Sequence, residues 1–593
     1  MNNKGNTTNI CLNNLNKGEI TMLTEKKLTG YPSIDKPWLQ YYTQDAINTK
    51  LPECTIYEYL WENAKNYTDD IALEFFGKKI TYREMFENID KTAKAFTNIG
   101  VKEKDVVTLL MLNQPEMVYA FYALNKIGAC ACVVNVLANE KDLVKHLSEC
   151  NSKYFVALDI FFNKSYQVAK ECNVNKLIYL PLYESLGPIK MAMYRLKVKK
   201  PQYEDHFVVS WHDFYNQKTT NTYTKTTHQR NKCTLIGHTG GTTGVPKGIE
   251  LTDNSVNFLV AQYGAKWPHE RKDVFLNLLV PFAVYGLVLN VHMPLSFGMK
   301  CVLIPKVDPK TTDKLVLKYK PNHIISVPSY WNAILESEKI KDLSFFKVAG
   351  AGGSKMEPSM EIALNKKFRE CNSNIHFMNG YGMSEVGSIA CAQSDDCAEI
   401  GSVGIPLANT IIAAFDPDTT EEMKYNVEGE ICILSPSMMI GYIDNPDENA
   451  QMMRKHTDGN VWLHTGDLGY VNENGSVFIK GRMKRIYFTQ QNGTVSKIFP
   501  DRIEKAISAH GEIASCCAVC AAKVNSYLPL AFVVLKEDCQ AEQETVVEEL
   551  KELCKAELPE YSQPVAYLFR DALPLTPVGK PDYRTLEKEA EKL

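Results

Sequence analysis

Between Thr239 and Gly248 the chain reads TGGTTGVPKG. Gly240, Gly241 and Gly244 would let backbone N–H groups close on an anion. The hydroxyls of Thr239, Thr242 and Thr243 would donate to it, and Lys247 would neutralise it. The segment is not a Walker A loop, because no Gly-Lys-Ser/Thr ends it. Its flanks argue for a shaped loop. An apolar run, Thr234 to Ile236, leads in, and IELT followed by Asp253 and Asn254 leads out towards a polar-capped helix start. A flexible linker would join polar, structureless flanks.

More segments able to do chemistry follow in order: GAGG (350–353), NGYGMSE (379–385), GEICILSPSMMIGY (429–442), WLHTGDLGYVNENGSVFIKGR (462–482) and PLTPVGKPDYRTL (574–586). With the glycine-threonine loop at their head, they closely resemble the signatures of the adenylate-forming superfamily: acyl-CoA synthetases, luciferases and the adenylation domains of peptide synthetases. The likeness runs from near residue 50 to the end and leans towards medium- and long-chain acyl-CoA synthetases.

The resemblance assigns roles that make chemical sense. A carboxylate and the α-phosphate of ATP are both anions, so in-line attack needs charge neutralisation and a departing pyrophosphate. Thr239, Gly240, Gly241, Thr242, Thr243 and Lys247 would hold the β- and γ-phosphates. Glu385, with Thr239, would hold Mg²⁺, an ion suited by hard oxygen ligands. Gly352 and Gly353, with Asn379, Tyr381, Gly382 and Ser384, would frame the adenine; Ser384 stands where Thr is more usual. Asp467, whose two acceptor oxygens suit a vicinal diol, would bind the ribose together with Arg482. Lys580 would bridge the substrate carboxylate and the α-phosphate. Tyr285, Val327 and Gly382 would line the acid pocket. Lys484, two residues past the ribose arginine, would be the hinge about which a C-terminal domain swings between half-reactions.

The resemblance therefore implies an ATP-dependent acid–thiol ligase. No phosphopantetheine attachment motif follows Lys580, so the thiol comes from outside the chain: CoA, or a carrier protein in a stand-alone loading enzyme. A catalytically inactive nucleotide sensor or scaffold is a reading of another class; Lys247, Glu385, Asp467, Arg482 and Lys580 together weigh against it. Two departures stand out. PFAVYG (281–286) lacks the histidine often found there, and it lacks the aspartate that amino-acid-activating domains use to hold an α-ammonium. The loop after Arg482 looks longer than usual, with Phe488 where Lys is common.

These residues must be positioned by a scaffold. Short apolar runs alternate with helical patterns from about residue 55. TIYEYLWENAKNY and TYREMFENIDKTAKAFTNIG read as helices, IALEFFGKKITY as a hairpin and DVVTLLML as a buried strand. The expected fold class is α/β: two doubly wound subdomains, a small β-rich subdomain over about 400–483, and a small mobile α+β domain. Expected boundaries are a disordered tail (1–30), an AMP-binding domain (31–483) and a C-terminal domain (484–593). The tail is asparagine-rich, and Lys17-Gly18-Glu19 ahead of Met22 fits an in-frame ribosome-binding sequence, which would make Met22 the natural start.

Composition bounds the partners. A net charge of −4 over 593 residues argues against nucleic acid. Seventeen cysteines without a secretory signal suggest reduced thiols and a cytoplasmic location. Cys517 and Cys520 have metal-like spacing but lie in an apolar run, which reads as a buried strand. Val274 to Met299 has no charged residue, yet its prolines, glycine and asparagines break it into core pieces rather than a span. The insertion 181–207, and within it the stretch 186–201, mixes Met, Leu and Tyr with Arg195, Lys197, Lys199 and Lys200. It reads either as a peripheral contact with anionic lipid or as a solvated surface helix with a basic end. Replacing Lys580 by Ala should lower adenylation by about 10²–10³-fold while leaving ATP binding largely intact. Pyrophosphate exchange measured beside equilibrium ATP binding checks both halves.

Overall fold

The computed structural model describes residues 28–217, 222–238, 247–485, 487–491, 494–523, 526–575 and 581–592. The expected tail and the Met22 start fall mostly outside them. Residues 28–30 do not belong to such a tail: the backbone N–H groups of Thr29 and Gly30 donate to the Asp35 carboxylate.

Local signals place the first elements. Thr55 and Thr81 each form a capping box with the glutamate three residues on, starting helices Ile56–Ala64 and Tyr82–Asn98. Ile71–Phe75 and Lys78–Thr81 form the expected hairpin, turning at Phe76 and Gly77, both with positive φ.

Three sheets make the large N-terminal body. One has nine strands, with a parallel centre running Met378–Tyr381, Val348–Ala351, His323–Ser326, Val274–Asn277, Lys300–Leu303 and Ile71–Phe75. A second has eight, with Cys233–His238, Cys130–Val133, Val106–Leu110, Tyr154–Leu158 and Lys176–Leu180 parallel at its centre. A third, antiparallel, has five: Ile411–Phe415, Gly429–Leu434, Val461–Val471, Met453–Lys455 and Val477–Arg482. Helix Pro115–Ile127 is buried along almost its whole length against the main core. An aromatic cluster of Trp331, Phe346, Phe368 and Phe377 fills a second core. The β-rich stretch over 400–483 is less self-contained than its texture implies. Ile405–Pro406 joins the nine-stranded sheet, and Gly441–Tyr442 pairs with Gly248–Thr252 of the eight-stranded one.

After Arg482 comes a short turn, Met483–Arg485, then the hairpin Tyr487–Gln491/Thr494–Ile498 and a three-stranded sheet covered by helices Pro500–Ser508 and Gln543–Glu557. Cys517 and Cys520 lie buried in strand Ile513–Lys523, where burial raises both thiols, Cys520 to about 12. That is the chemistry of inert core thiols.

The charge-free stretch 274–299 is core. After strand Val274–Asn277 it forms short helices with a π turn at Val288–His292, nearly all buried. Among the described residues no helix is long and apolar enough to cross a membrane. His292 in the π turn accepts from the Tyr122 hydroxyl at Nδ1 (3.0 Å), which leaves Nε2 to donate to Asn257 Oδ1 (3.1 Å). These partners select the neutral ring, and burial lowers its pKa to about 3. A depressed histidine pKa means the unfolded chain binds the proton first, so stability is full above about pH 6.5 and falls as pH drops towards 3. The expected loss from His292 alone is about 2 kcal/mol at pH 5. Urea midpoints at pH 7 and pH 5 should therefore differ less in His292→Gln than in the wild type.

Candidate active site

Tyr381 ends a strand of the nine-stranded sheet, and its hydroxyl donates to Asp467 Oδ2 at 2.5 Å. Asp467 sits in the long strand of the five-stranded sheet, directly opposite Arg482 in register. The guanidinium closes on Asp467 Oδ1 at 2.9 Å and donates to the Thr465 carbonyl at 3.0 Å. Burial opposes charge on Arg482, but Asp467, Tyr381 and Glu385 outweigh it and raise its pKa. Burial, with the Asp467 charge beside it, pushes the Tyr381 hydroxyl well up, so it stays a neutral donor.

Glu385 lies in the 3₁₀ turn Ser384–Val386 and is buried. Tyr442, from the edge of the eight-stranded sheet, donates to its Oε1 at 2.6 Å. Burial and the Glu385 charge raise the Tyr442 hydroxyl, again keeping it a donor. Lys247 immediately precedes strand Gly248–Thr252, which leads into the capped helix Asp253–Gly264. Its ammonium is 2.8 Å from Glu448 and 5.0 Å from the Tyr442 ring centre. Lys247, Tyr442 and Glu385 thus form a chain of contacts, a cation over an aromatic ring whose hydroxyl donates to a carboxylate.

The glycine turn at 352–353 is walled by Tyr285 and Val327. A side chain at Gly352 would meet the Gly380 carbonyl at 2.9 Å and the Tyr285 hydroxyl at 3.4 Å; one at Gly353 would touch Val327 at 3.8 Å. Tyr285 itself is pinned by a bond to the Ser326 carbonyl (3.0 Å). No charged residue occurs in the stretches 280–286, 326–330 or 350–354 that build this wall.

Two expected site residues also have structural roles. The Asn379 amide donates to the Ser402 carbonyl at 3.0 Å, and its backbone N–H to Gln393, so its side chain also braces the strand. Gly382 presses on the backbone of Ser388 and Ile389, leaving no room for a Cβ, so close packing by itself requires a glycine here. Ser384 opens the turn that carries Glu385. Thr239, Gly240, Gly241, Thr242, Thr243 and Lys580 lie outside the described residues. Lys484 sits in the turn between two clamped arginines. Arg482 is held by Asp467; Arg485 is held by Asp501 (2.8 Å) and Glu504 (2.9 Å) and stacks on Tyr583.

Sequence reasoning missed the supports. Beneath Asp467, Glu430 accepts from His464 Nδ1 (2.7 Å) and from the Gly466 N–H (2.9 Å), and His464 Nε2 meets His456 Nε2 at 2.8 Å. Burial alone would raise Glu430; the His464 bond and charge outweigh it, and its pKa is lowered. Glu430, Cys432 and His464 form the one grouping among the described residues with metal-like spacing. Its carboxylate and imidazole are already partnered, which makes it a brace for the 465–467 turn. Glu430 and Tyr442 are the second and last residues of the segment 429–442, so their positions were marked; their partners were not.

A family model described as AMP-binding enzyme matches residues 60–443, and one described as AMP-binding enzyme C-terminal domain matches 502–580. The chain belongs to this family of AMP-binding enzymes. It is 29% identical over 572 residues to a long-chain-fatty-acid–CoA ligase of Bacillus subtilis (strain 168), covering 94% of this chain and 98% of that one. A long-chain-fatty-acid–CoA ligase of Escherichia coli O157:H7 is 25% identical over 573 residues, with the same coverage of both. The solved structure of the anthranilate CoA ligase AuaEII in complex with anthranoyl-AMP shares the fold, with a TM-score of 0.77 at 19% identity over 92% of this chain and 99% of that one. The site and the family together define an AMP-forming acid–thiol ligase that uses ATP and CoA.

Asp467→Asn should raise KM for ATP about 10- to 100-fold, the worth of a charge-assisted hydrogen bond of about 1.5–3 kcal/mol. Steady-state kinetics with ATP varied, together with a melting curve to confirm folding, checks it.

Proposed function

We propose that the enzyme activates a long-chain fatty acid, or an apolar acid of similar character, and transfers it to CoA. The observation that carries this reading is the uncharged wall of Tyr285, Val327 and the Gly352–Gly353 turn. An α-amino acid would need a carboxylate there to offset a desolvated ammonium. End-to-end similarity to long-chain-fatty-acid–CoA ligases supports the same acid class.

In the first step a carboxylate oxygen of the acid bonds to the α-phosphorus of ATP while the α–β anhydride bond breaks, releasing pyrophosphate. Asp467 and Arg482 hold the ribose, Lys247 exchanges Glu448 for phosphate, and Lys580 spans the reacting carboxylate and α-phosphate. Mg²⁺ would neutralise charge on the departing pyrophosphate. Glu385, a buried carboxylate oriented by Tyr442, and Thr239 fit its hard-oxygen preference. In the second step the CoA sulfur bonds to the acyl carbon, AMP leaves and the thiol proton is lost. Lys484 is the hinge between the two steps: Arg482 is clamped to one domain and Arg485 to the other, so only Met483 and Lys484 can take up a rotation. We place the reaction in the cytoplasm, where reducing conditions keep thiols such as the free cysteines here.

Pyrophosphate release over a panel of carboxylic acids, each with and without CoA, tests the reading. The expected result is CoA-dependent turnover greatest on long-chain fatty acids. Preference for small aromatic acids would overturn the acid class. Pyrophosphate exchange without CoA turnover would replace CoA by a carrier protein as acceptor.

A further inference from the structure

The helix Pro188–Arg195 lies outside the site above, and it displays what a soluble surface normally hides. Ile189, Met193 and Leu196 are 78%, 64% and 87% exposed, and their spacing of four and three residues puts them on one face. The opposite side is fastened to the body. Tyr194 and Arg195 both bind the carboxylate of Asp159, whose side chain is fully buried; the Arg195 contact is 2.6 Å. The Tyr194 ring packs edge-on against Tyr183, which packs in turn on Phe76. Lys190 and Lys78 tie down the carbonyls of Phe76 and Ser185. The helix is therefore held with its apolar ridge outward, and Phe76 beside it is itself 45% exposed.

Charge around the ridge is predominantly positive. Lys190, Lys197, Lys199 and Lys200 are exposed, as are Lys78 and Lys79 on the neighbouring hairpin. Of the acids in the same stretch, Asp159 is engaged by Arg195, Asp205 by Tyr166 and Lys170, and Glu184 faces His212, while Glu204 is exposed. Arg195, counted at first with the basic cluster, points inward. A second copy of this face would bring lysines against lysines. A bilayer with anionic headgroups instead offers acyl chain for the ridge and negative charge for its rim, at roughly a fivefold gain in partitioning per lysine.

We propose that the ridge Ile189–Met193–Leu196, rimmed by Lys190, Lys197, Lys199 and Lys200, seats the enzyme peripherally on membranes bearing anionic lipid. Its use, to collect an acid dissolved in the bilayer, rests on the fatty-acid reading; the docking itself does not.

Sedimentation of the full-length enzyme with phosphatidylcholine vesicles, with and without phosphatidylglycerol, tests it. The wild type should pellet with phosphatidylglycerol vesicles, release as salt rises, and bind plain phosphatidylcholine at least tenfold more weakly. Replacing Ile189, Met193 and Leu196 by Ser together should cut binding at least tenfold. Lys197, Lys199 and Lys200→Gln should weaken it and flatten the salt dependence. Both variants should match the wild type in melting temperature and in turnover of a water-soluble acid without vesicles. Failure of the wild type to bind would overturn the proposal, as would undiminished binding by the serine variant. So would a dimer of the free protein that the serine variant abolishes, which would assign the ridge to a second copy. If the acid panel instead favours soluble aromatic acids, vesicle binding should persist, which separates this proposal from the substrate reading.

Discussion

Two buried carboxylates, Glu385 and Asp467, govern the arrangement of this protein. Each would be costly to desolvate without a partner, and each finds a partner across a sheet boundary. Asp467 and Arg482 belong to the five-stranded sheet, and Tyr381 reaches Asp467 from the nine-stranded one. Tyr442 reaches Glu385 from the eight-stranded sheet. The proposed nucleotide site is thus the seam where three sheets meet, and the contacts that orient its two carboxylates also hold the sheets in place.

Support for this seam is layered. Glu430 and His464 brace the turn that carries Asp467. Two tyrosine hydroxyls, raised by burial, remain neutral donors to the carboxylates they touch. Beyond Arg482 the packing changes hands: Arg485 is buried among Asp501, Glu504 and Tyr583, and the narrow gap beside Gly481 brings Asp501 close. An abrupt change of clamps over three residues suits a chain whose two parts change orientation between half-reactions.

Much of the scaffold was legible because its causes are local. The capping boxes at Thr55 and Thr81, the turn at Phe76–Gly77 and the buried strand at Cys517–Cys520 depend on neighbours a few residues away. The ordered motifs likewise marked Glu385, Asp467, Arg482 and Tyr381, which the structure brings together. What was not legible depends on distant partners. Gly441–Tyr442 belongs to another sheet than the strand just before it in its motif. Arg195 faces a carboxylate 36 residues away in sequence. Asn379 turns its amide to Ser402, and Gly382 is shaped by the backbone of Ser388.

The amino-acid sequence alone therefore determined the α/β class and the identity of the charged residues, because periodicity and residue type act over short range. Only the tertiary structure decided which hydroxyl orients which carboxylate, which arginine is clamped inward, and which apolar side chains remain facing water. Those are questions of burial and partnership, and the free energy of a buried charge is set by the groups that folding brings to it from elsewhere in the chain.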